Sequence, residues 1–359
     1  MKNKKIIILI TCILVVILFM VGLYFYGLSP ISKKSDKVKF TVEKGVGINK
    51  VLNDLYEANI IKSKISSLIY VKLHSNIIIQ AGTYELDRNN NTTDILKILS
   101  GGKIIQDTIN VTFIEGKRVT NYAKTISEKF GYSEEEVIKT LSNSDFLKKL
   151  ISEYEFLDNS ILNSDLYYPL EGYLFPATYE FYKTDSIENI IRKMLNKTNS
   201  VLNELKEDIN QSDYNVHEIL TIASIIENES VGKKADVKYC SGKENEYVDR
   251  YVVSQVIHKR LDTNMSLGMD VTTYYGAKKE LSETLTKVDI NEINAYNTRP
   301  TSFLGLPVGP ISNPSKDSIK AALNPSDTTC VYFYADMATS ELHFAKTFAE
   351  HETNIKKYS

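Results

Sequence analysis

The chain has 359 residues, 25% of them charged and 43% hydrophobic, with a formal net charge of -2, which suits two or three folded domains. That balance gives no electrostatic reason to expect a nucleic-acid partner. Its three cysteines and five scattered histidines lack CxxC or HExxH spacing, so neither a metal nor another cofactor is expected; a single Cys240–Cys330 bridge stays open.

From Ile6 to Tyr26 no residue is charged, and about 20 such residues span a bilayer as a helix. Lys2, Lys4 and Lys5 precede the run, and Tyr24 and Tyr26 stand where an interfacial aromatic belt would lie. The run is too long for a cleaved signal peptide, and no A-x-A-like site follows it. A cytoplasmic head (1–5) and a single-pass helix (6–26) are therefore expected. Lys33, Lys34, Lys37 and Lys39 balance the near-side lysines, so orientation rests on size: the large carboxy-terminal part is placed outside the cell membrane.

A polar linker (27–38) precedes a strand at Phe40–Val42, a Gly45/Gly47 turn, and a helix carrying Ile48, Val51, Leu52 and Leu55 on one face. A second helix near Ile65–Leu73, a strand near Ala81–Leu86 and a helix capped by Thr92 or Thr93 and ending before Gly101-Gly102 complete a small βααβ module with one more helix, residues 39–105. The order echoes at Ile114-Glu115-Gly116, where helices are predicted near Val119–Phe130 and Ser133–Leu141. This second small α/β segment (106–165) leads into a denser region, 166–359, interrupted by a polar loop at 232–248. The fold class is α+β.

Five segments carry candidate chemistry. In ILTIASIIENES (219–230), Asn215 and Glu218 start a helix whose buried face holds Ile219, Ile222, Ala223 and Ile226. Thr221, Ser224 and Asn228 form its polar side. Glu227 and Glu229 fall on opposite flanks, about 160° apart, so they cannot act as a facing pair. A carboxyl bordered by apolar side chains should have a raised pKa, as a general acid requires, although a surface or salt-bridged acid would fit the same pattern. YPLEGYLFPATYEFY (168–182) reads as a fixed loop whose Glu171 and Tyr173 can line a sugar cleft or a packing corner. LGMDVTTYYG (267–276) offers Asp270 and Thr272, and YNTRPTSFLGLPVGPISNP (296–314) offers Tyr296 and Asn297 on a backbone wall suited to an extended polymer. VYFYAD and His343-Phe344 form the last segment.

Together and in their order along the chain, these segments closely resemble the endolytic murein transglycosylases, the YceG-like proteins. The resemblance implies a LysM-like module at about 40–105, a YceG-like catalytic domain over 166–359, and Glu227 as the catalytic acid. It further implies cleavage within peptidoglycan glycan strands, at the MurNAc-β-1,4-GlcNAc bond with a 1,6-anhydro end, terminating or trimming nascent strands. Wall-synthesis partners such as penicillin-binding proteins follow from the resemblance alone. Glu229, Glu171, Tyr173, Asp270, Thr272, Tyr296, Asn297 and His343 are expected to shape the site or bind substrate. Two alternatives stand beside this one: a hydrolase of the same bond, with Glu171 or Asp270 as base, and a non-catalytic glycan-binding scaffold for wall synthases. Asn228 stands where the family usually has lysine, Asn-Pro-Ser replaces Asn-Pro-Gly at 313–315, and 232–248 is longer than usual. None of these departures is expected to touch Glu227.

Overall fold

The computed structural model describes residues 2–43, 45–74, 77–101, 108–240, 247–336 and 338–359, with side chains from residue 11 onward. Gly102, the expected 105/106 boundary and residues 241–246 of the polar loop lie outside that range. Two compact units divide between residues 107 and 108, and the secondary structure is α+β, mostly helical.

The first unit opens with α1 (Lys2–Leu28), 27 residues long. It runs two residues past the expected end, and Gly27 in its last turn packs closely on a later helix; a Cβ there would collide with Ser63 and Ser66. Then come β1 (Lys37–Val42), α2 (Ile48–Glu57), α3 (Lys64–Leu73), β2 (Gly82–Asp87) and α4 (Thr92–Gly101). β1 and β2 pair antiparallel with Phe40 opposite Tyr84. Strand alternation points Phe40, Val42, Tyr84 and Leu86 to one side. There they meet Val51, Leu52 and Leu55 of α2 and Ile95, Leu96 and Leu99 of α4, all buried. Ser63 caps α3. The cap of α4 is Asn91, whose Oδ1 accepts from the Asp94 N–H at 2.8 Å; Thr92, expected to cap, is buried inside the first turn.

The second unit begins with β3 (Thr108–Thr112), α5 (Val119–Phe130), α6 (Glu134–Leu141) and α7 (Ser144–Glu153). β4 (Thr178–Tyr182) then returns to pair antiparallel with β3. The 106–165 stretch and the region after 166 thus share a sheet and one core. The echo seen in the sequence is topological: each unit has a strand, a positive-φ glycine (Gly45 at 84°, Gly116 at 70°), helices, and an antiparallel return strand.

After β4 come α8 (Ile187–Glu204), α9 (Lys206–Gln211), α10 (Val216–Glu229), α11 (Asp249–Asp262), α12 (Asp270–Gly276), α13 (Lys287–Asn291) and α14 (Lys316–Leu323). The chain closes with β5 (Tyr332–Ala335), β6 (Leu342–Ala345), which pair antiparallel, and α15 (Phe348–Tyr358). Cys240 and Cys330 are joined by a disulfide across 90 residues. α10 is the central helix of this unit, packed against α11, α12 and α14. Its capping box at Asn215 and Glu218 forms as expected. Burial is not confined to the apolar face, because Thr221 and Ser224 are also inside. Ser224 Oγ accepts from the Ile311 N–H at 3.0 Å, so the polar stripe of α10 binds the Pro/Gly-rich wall rather than water.

Candidate active site

The last turn of α10 forms one side of a cleft of about 480 Å³, within the range of small-ligand sites. Glu227 and Asn228 line it from α10, Glu115 to Arg118 and Asn121 from the β3–α5 connection and the first turn of α5, and Val271 from α12. Glu280 to Ser282 and Ile311 complete it. Glu227 is half-buried. Its Oε2 accepts from the Ser315 N–H at 3.0 Å and from the Ser315 hydroxyl at 2.5 Å. Its partner is a serine at the start of α14, not a lysine or arginine. Oε1 has no hydrogen-bond partner among the described residues.

The expectation that the family departures stay clear of Glu227 is thus corrected at Ser315, the residue standing in the usual glycine position. The departure at Asn228 also acts locally, since its Nδ2 donates to Ser224 O at 2.9 Å and to Ser312 Oγ at 2.7 Å. Gly116 lies across from both residues. A Cβ there would sit 3.5 Å from Glu227 Cγ, and the φ of +70° disfavours any other residue.

Glu115 is a second carboxylate in this cleft that sequence reasoning left out. Lost hydration raises its pKa, the charge of Glu227 adds to the rise, and Arg250 opposes it. The available signal was the Glu115-Gly116 turn, noticed only as part of the repeat. Lys117, Arg118 and Asn121 were likewise missed. Arg118 is held in place by donating to Lys279 O at 2.7 Å and by lying 5.1 Å over the Tyr275 ring.

Glu171 does not line the cleft; it lies beneath its wall and is 1% exposed. Its Oε1 accepts from the Val119 N–H at 2.9 Å and Asn313 Nδ2 at 3.2 Å, and its Oε2 meets the Tyr275 hydroxyl at 3.1 Å. Burial pushes its pKa up to about 8, against the opposing pull of the Val119 N–H, Tyr275 and Arg118. Asn313 completes this support. Its Oδ1 accepts from the Gly172 and Leu174 N–H groups, each at 3.1 Å, and its Nδ2 donates to Lys117 O at 3.0 Å. Two residues later, Ser315 reaches Glu227. The motif segments at 171–174 and 313–315 therefore hold the cleft wall and the acid in one network.

Glu229 opens into a different cleft of about 500 Å³, shared with Arg260, Asp270 and Arg299. The helical wheel predicts this divergence from Glu227. Burial, then the charge of Asp270, push the Glu229 pKa up to about 7, opposed by the Val271 N–H, Arg260 and Arg299. Asp270 itself pairs with Arg299 at 2.8 Å.

The remaining candidates face inward. Tyr173 is buried and donates to Nδ1 of His217 at 2.8 Å. Thr272 Oγ donates to Met269 O at 2.7 Å and accepts from the Thr298 N–H at 3.1 Å. Tyr296 packs in the core, its ring tilted against Tyr167 and edge-on to Tyr275. Asn297 is buried, its Nδ2 donating to the Asp289, Ile290 and Glu292 carbonyls. His343 lies in β6, bonded through Nδ1 to Asp236 at 2.9 Å and stacked on Tyr358. None of these five borders the Glu227 cleft.

Residues 40–357 match the profile of the YceG-like family. Over 343 residues the chain is 34% identical to a protein of Bacillus subtilis named endolytic murein transglycosylase, covering 94% of this chain and 90% of that protein. A protein of Streptococcus pneumoniae with the same name is 27% identical, over 92% of this chain and 60% of its own length. The crystal structure of a yceG-like protein from Listeria monocytogenes superposes with a TM-score of 0.61 at 31% identity, covering 89% of this chain and 99% of that one.

Proposed function

Because the chain belongs to the YceG-like family, we propose that it is a membrane-anchored endolytic transglycosylase acting on peptidoglycan glycan strands, with Glu227 as its acid and base. The observation that carries this reading is the seating of Glu227: a carboxylate on a cleft wall, fixed through one oxygen by Ser315 and, among the described residues, paired with no cation.

Glu227, protonated, gives its proton to the oxygen that bridges N-acetylmuramic acid to N-acetylglucosamine, and the bond from that oxygen to the anomeric carbon breaks. The C6 hydroxyl of the muramoyl sugar then bonds to the anomeric carbon and returns its proton to Glu227, leaving a 1,6-anhydro end. The nucleophile is already part of the sugar, so no water enters. One carboxylate can serve both steps.

The uncharged stretch of α1 supports a single bilayer span. The Cys240–Cys330 disulfide favours the oxidising outer side for the second unit. The LysM-like βααβ module of the first unit is read as a glycan-binding element.

The hydrolase alternative gains one observation, since Glu115 shares the cleft with Glu227, whereas Glu171 and Asp270 do not. Two carboxylates flanking the bond are the usual hydrolase arrangement. Digesting purified sacculi with the full chain and weighing the products separates the readings. Transglycosylation gives anhydro ends, hydrolysis gives reducing ends heavier by one water, and a scaffold releases nothing. Glu227→Gln should abolish anhydro products without unfolding the chain, and undiminished release would refute the assignment.

A further inference from the structure

α3 carries an apolar face that the first unit does not use. Ile65, Ile69 and Leu73 recur every four residues along it and are 73%, 43% and 70% exposed, while its other side buries Ser67 and packs toward α2 and α4. A contiguous exposed apolar stripe of this kind marks an interaction surface.

What covers the stripe follows from where α3 begins. Its first turn is fixed to the end of α1, where Gly27 fits against Ser63 and Ser66. Lys62 Nζ lies 4.7 Å over the Tyr26 ring and donates to Ser29 Oγ at 2.9 Å. The uncharged run Ile6–Tyr26, at ~1.5 Å per residue, reaches about 31 Å, close to the hydrocarbon thickness of a bilayer. Tyr26 then marks the outer interface, where aromatic side chains concentrate, and the start of α3 is tied to that level.

On the helical wheel the stripe borders Ser66, the residue that meets α1, on one side and Lys72 on the other. A lysine stem beside an apolar stripe suits a helix lying in the headgroup layer, with its ammonium group reaching a lipid phosphate.

We propose that α3 is an interfacial helix whose Ile65–Ile69–Leu73 stripe seats in the outer leaflet, holding the βααβ module against the membrane beside its own anchor. This inference rests on the reading of α1 as a bilayer span, and its occupant is lipid.

The chain contains no tryptophan, so single introduced tryptophans report without background. Full-length Phe19→Trp, Ile69→Trp, Leu73→Trp and Thr41→Trp would each be reconstituted into vesicles of phosphatidylglycerol and phosphatidylcholine with brominated acyl chains. Thr41 lies on the sheet face turned away from the helices. Phe19→Trp, Ile69→Trp and Leu73→Trp should lose most of their emission to bromine quenching, and Thr41→Trp should keep it. Quenching at Phe19 without quenching at Ile69 and Leu73 overturns this inference and leaves the anchor standing. In that case, blue-shifted but unquenched emission would mean that protein, such as a second copy, covers the stripe. Equal quenching at Thr41 overturns the assignment of a face. Loss of quenching at Phe19 removes the anchor reading, and this inference with it.

Discussion

Glu171 gives the sharpest test of how the cleft wall is held. Its carboxyl is buried, with a pKa pushed up to about 8 from an ordinary value of 4.5, so at neutral pH the folded chain holds a proton that the unfolded chain releases. The folded-state pKa is the higher one, so this contribution is complete below pH 4.5 and is lost as pH rises through about 8. The slope across that window is ~1.4 kcal/mol per pH unit. Between pH 5 and 8 it accumulates to on the order of 4 kcal/mol.

Glu171→Gln should remove that slope at little cost near neutrality. The amide oxygen still accepts from Val119 and Asn313, and the amide nitrogen can donate to the Tyr275 hydroxyl. Glu171→Leu should instead strand three buried donors, the Val119 N–H, one N–H of Asn313 and the Tyr275 hydroxyl, at ~1–3 kcal/mol each. Urea unfolding in detergent from pH 5 to 8, followed by tyrosine near-ultraviolet circular dichroism, measures both. The difference in stability between wild type and Glu171→Gln should shift toward the glutamine variant with rising pH. A difference that stays flat across the window would refute the claim that Glu171 is folded in its neutral form.

Two further outcomes follow from the same structure. Reducing the Cys240–Cys330 bridge, or replacing both cysteines by serine, reopens a loop of 90 residues and should cost about 4–5 kcal/mol, read as a lower melting temperature with dithiothreitol. An unchanged melt would mean that the bridge does not constrain the unfolded chain. Ser315→Gly removes the hydroxyl bond to Glu227 but keeps the backbone N–H bond at 3.0 Å. It should therefore lower kcat/KM by no more than about tenfold, or ~1.4 kcal/mol; inactivation would show that the hydroxyl, and not the backbone, positions the acid.

Much of the fold is legible because local rules and tertiary packing agree. The period-2 strand at Phe40–Val42, the stripe Val51–Leu52–Leu55 and the capping box before α10 all form where the residues predict. The α10 wheel also foretells that Glu227 and Glu229 point into different clefts. The β3–β4 pairing was not legible. It joins residues 66 to 74 positions apart, and nothing in either strand specifies a distant partner. The burial of the polar side of α10 has a related cause: residue type marks Thr221 and Ser224 as polar, but not that the wall at 311–312 bonds Ser224 while Thr221 turns back to the His217 carbonyl.

The site candidates divide along the same line. Residue type says that Glu171, Tyr173, Thr272, Tyr296 and Asn297 have work to do, but not on which side of a wall they do it. A glutamate in a Gly/Pro/aromatic turn suits a substrate contact or a buried strut equally well, and only long-range partners decide. Here the partners are the first N–H of α5 and the amide of Asn313. A strut of this kind has a functional consequence. Val119 follows directly on Glu115 to Arg118, which line the cleft, and Asn313 precedes by two residues the serine that grips Glu227. Displacing Glu171 therefore moves both the cleft wall and the anchorage of the acid. A structural residue and a catalytic one can look alike in mutagenesis of this chain; pH-dependent unfolding, which responds to Glu171 without any substrate present, tells them apart.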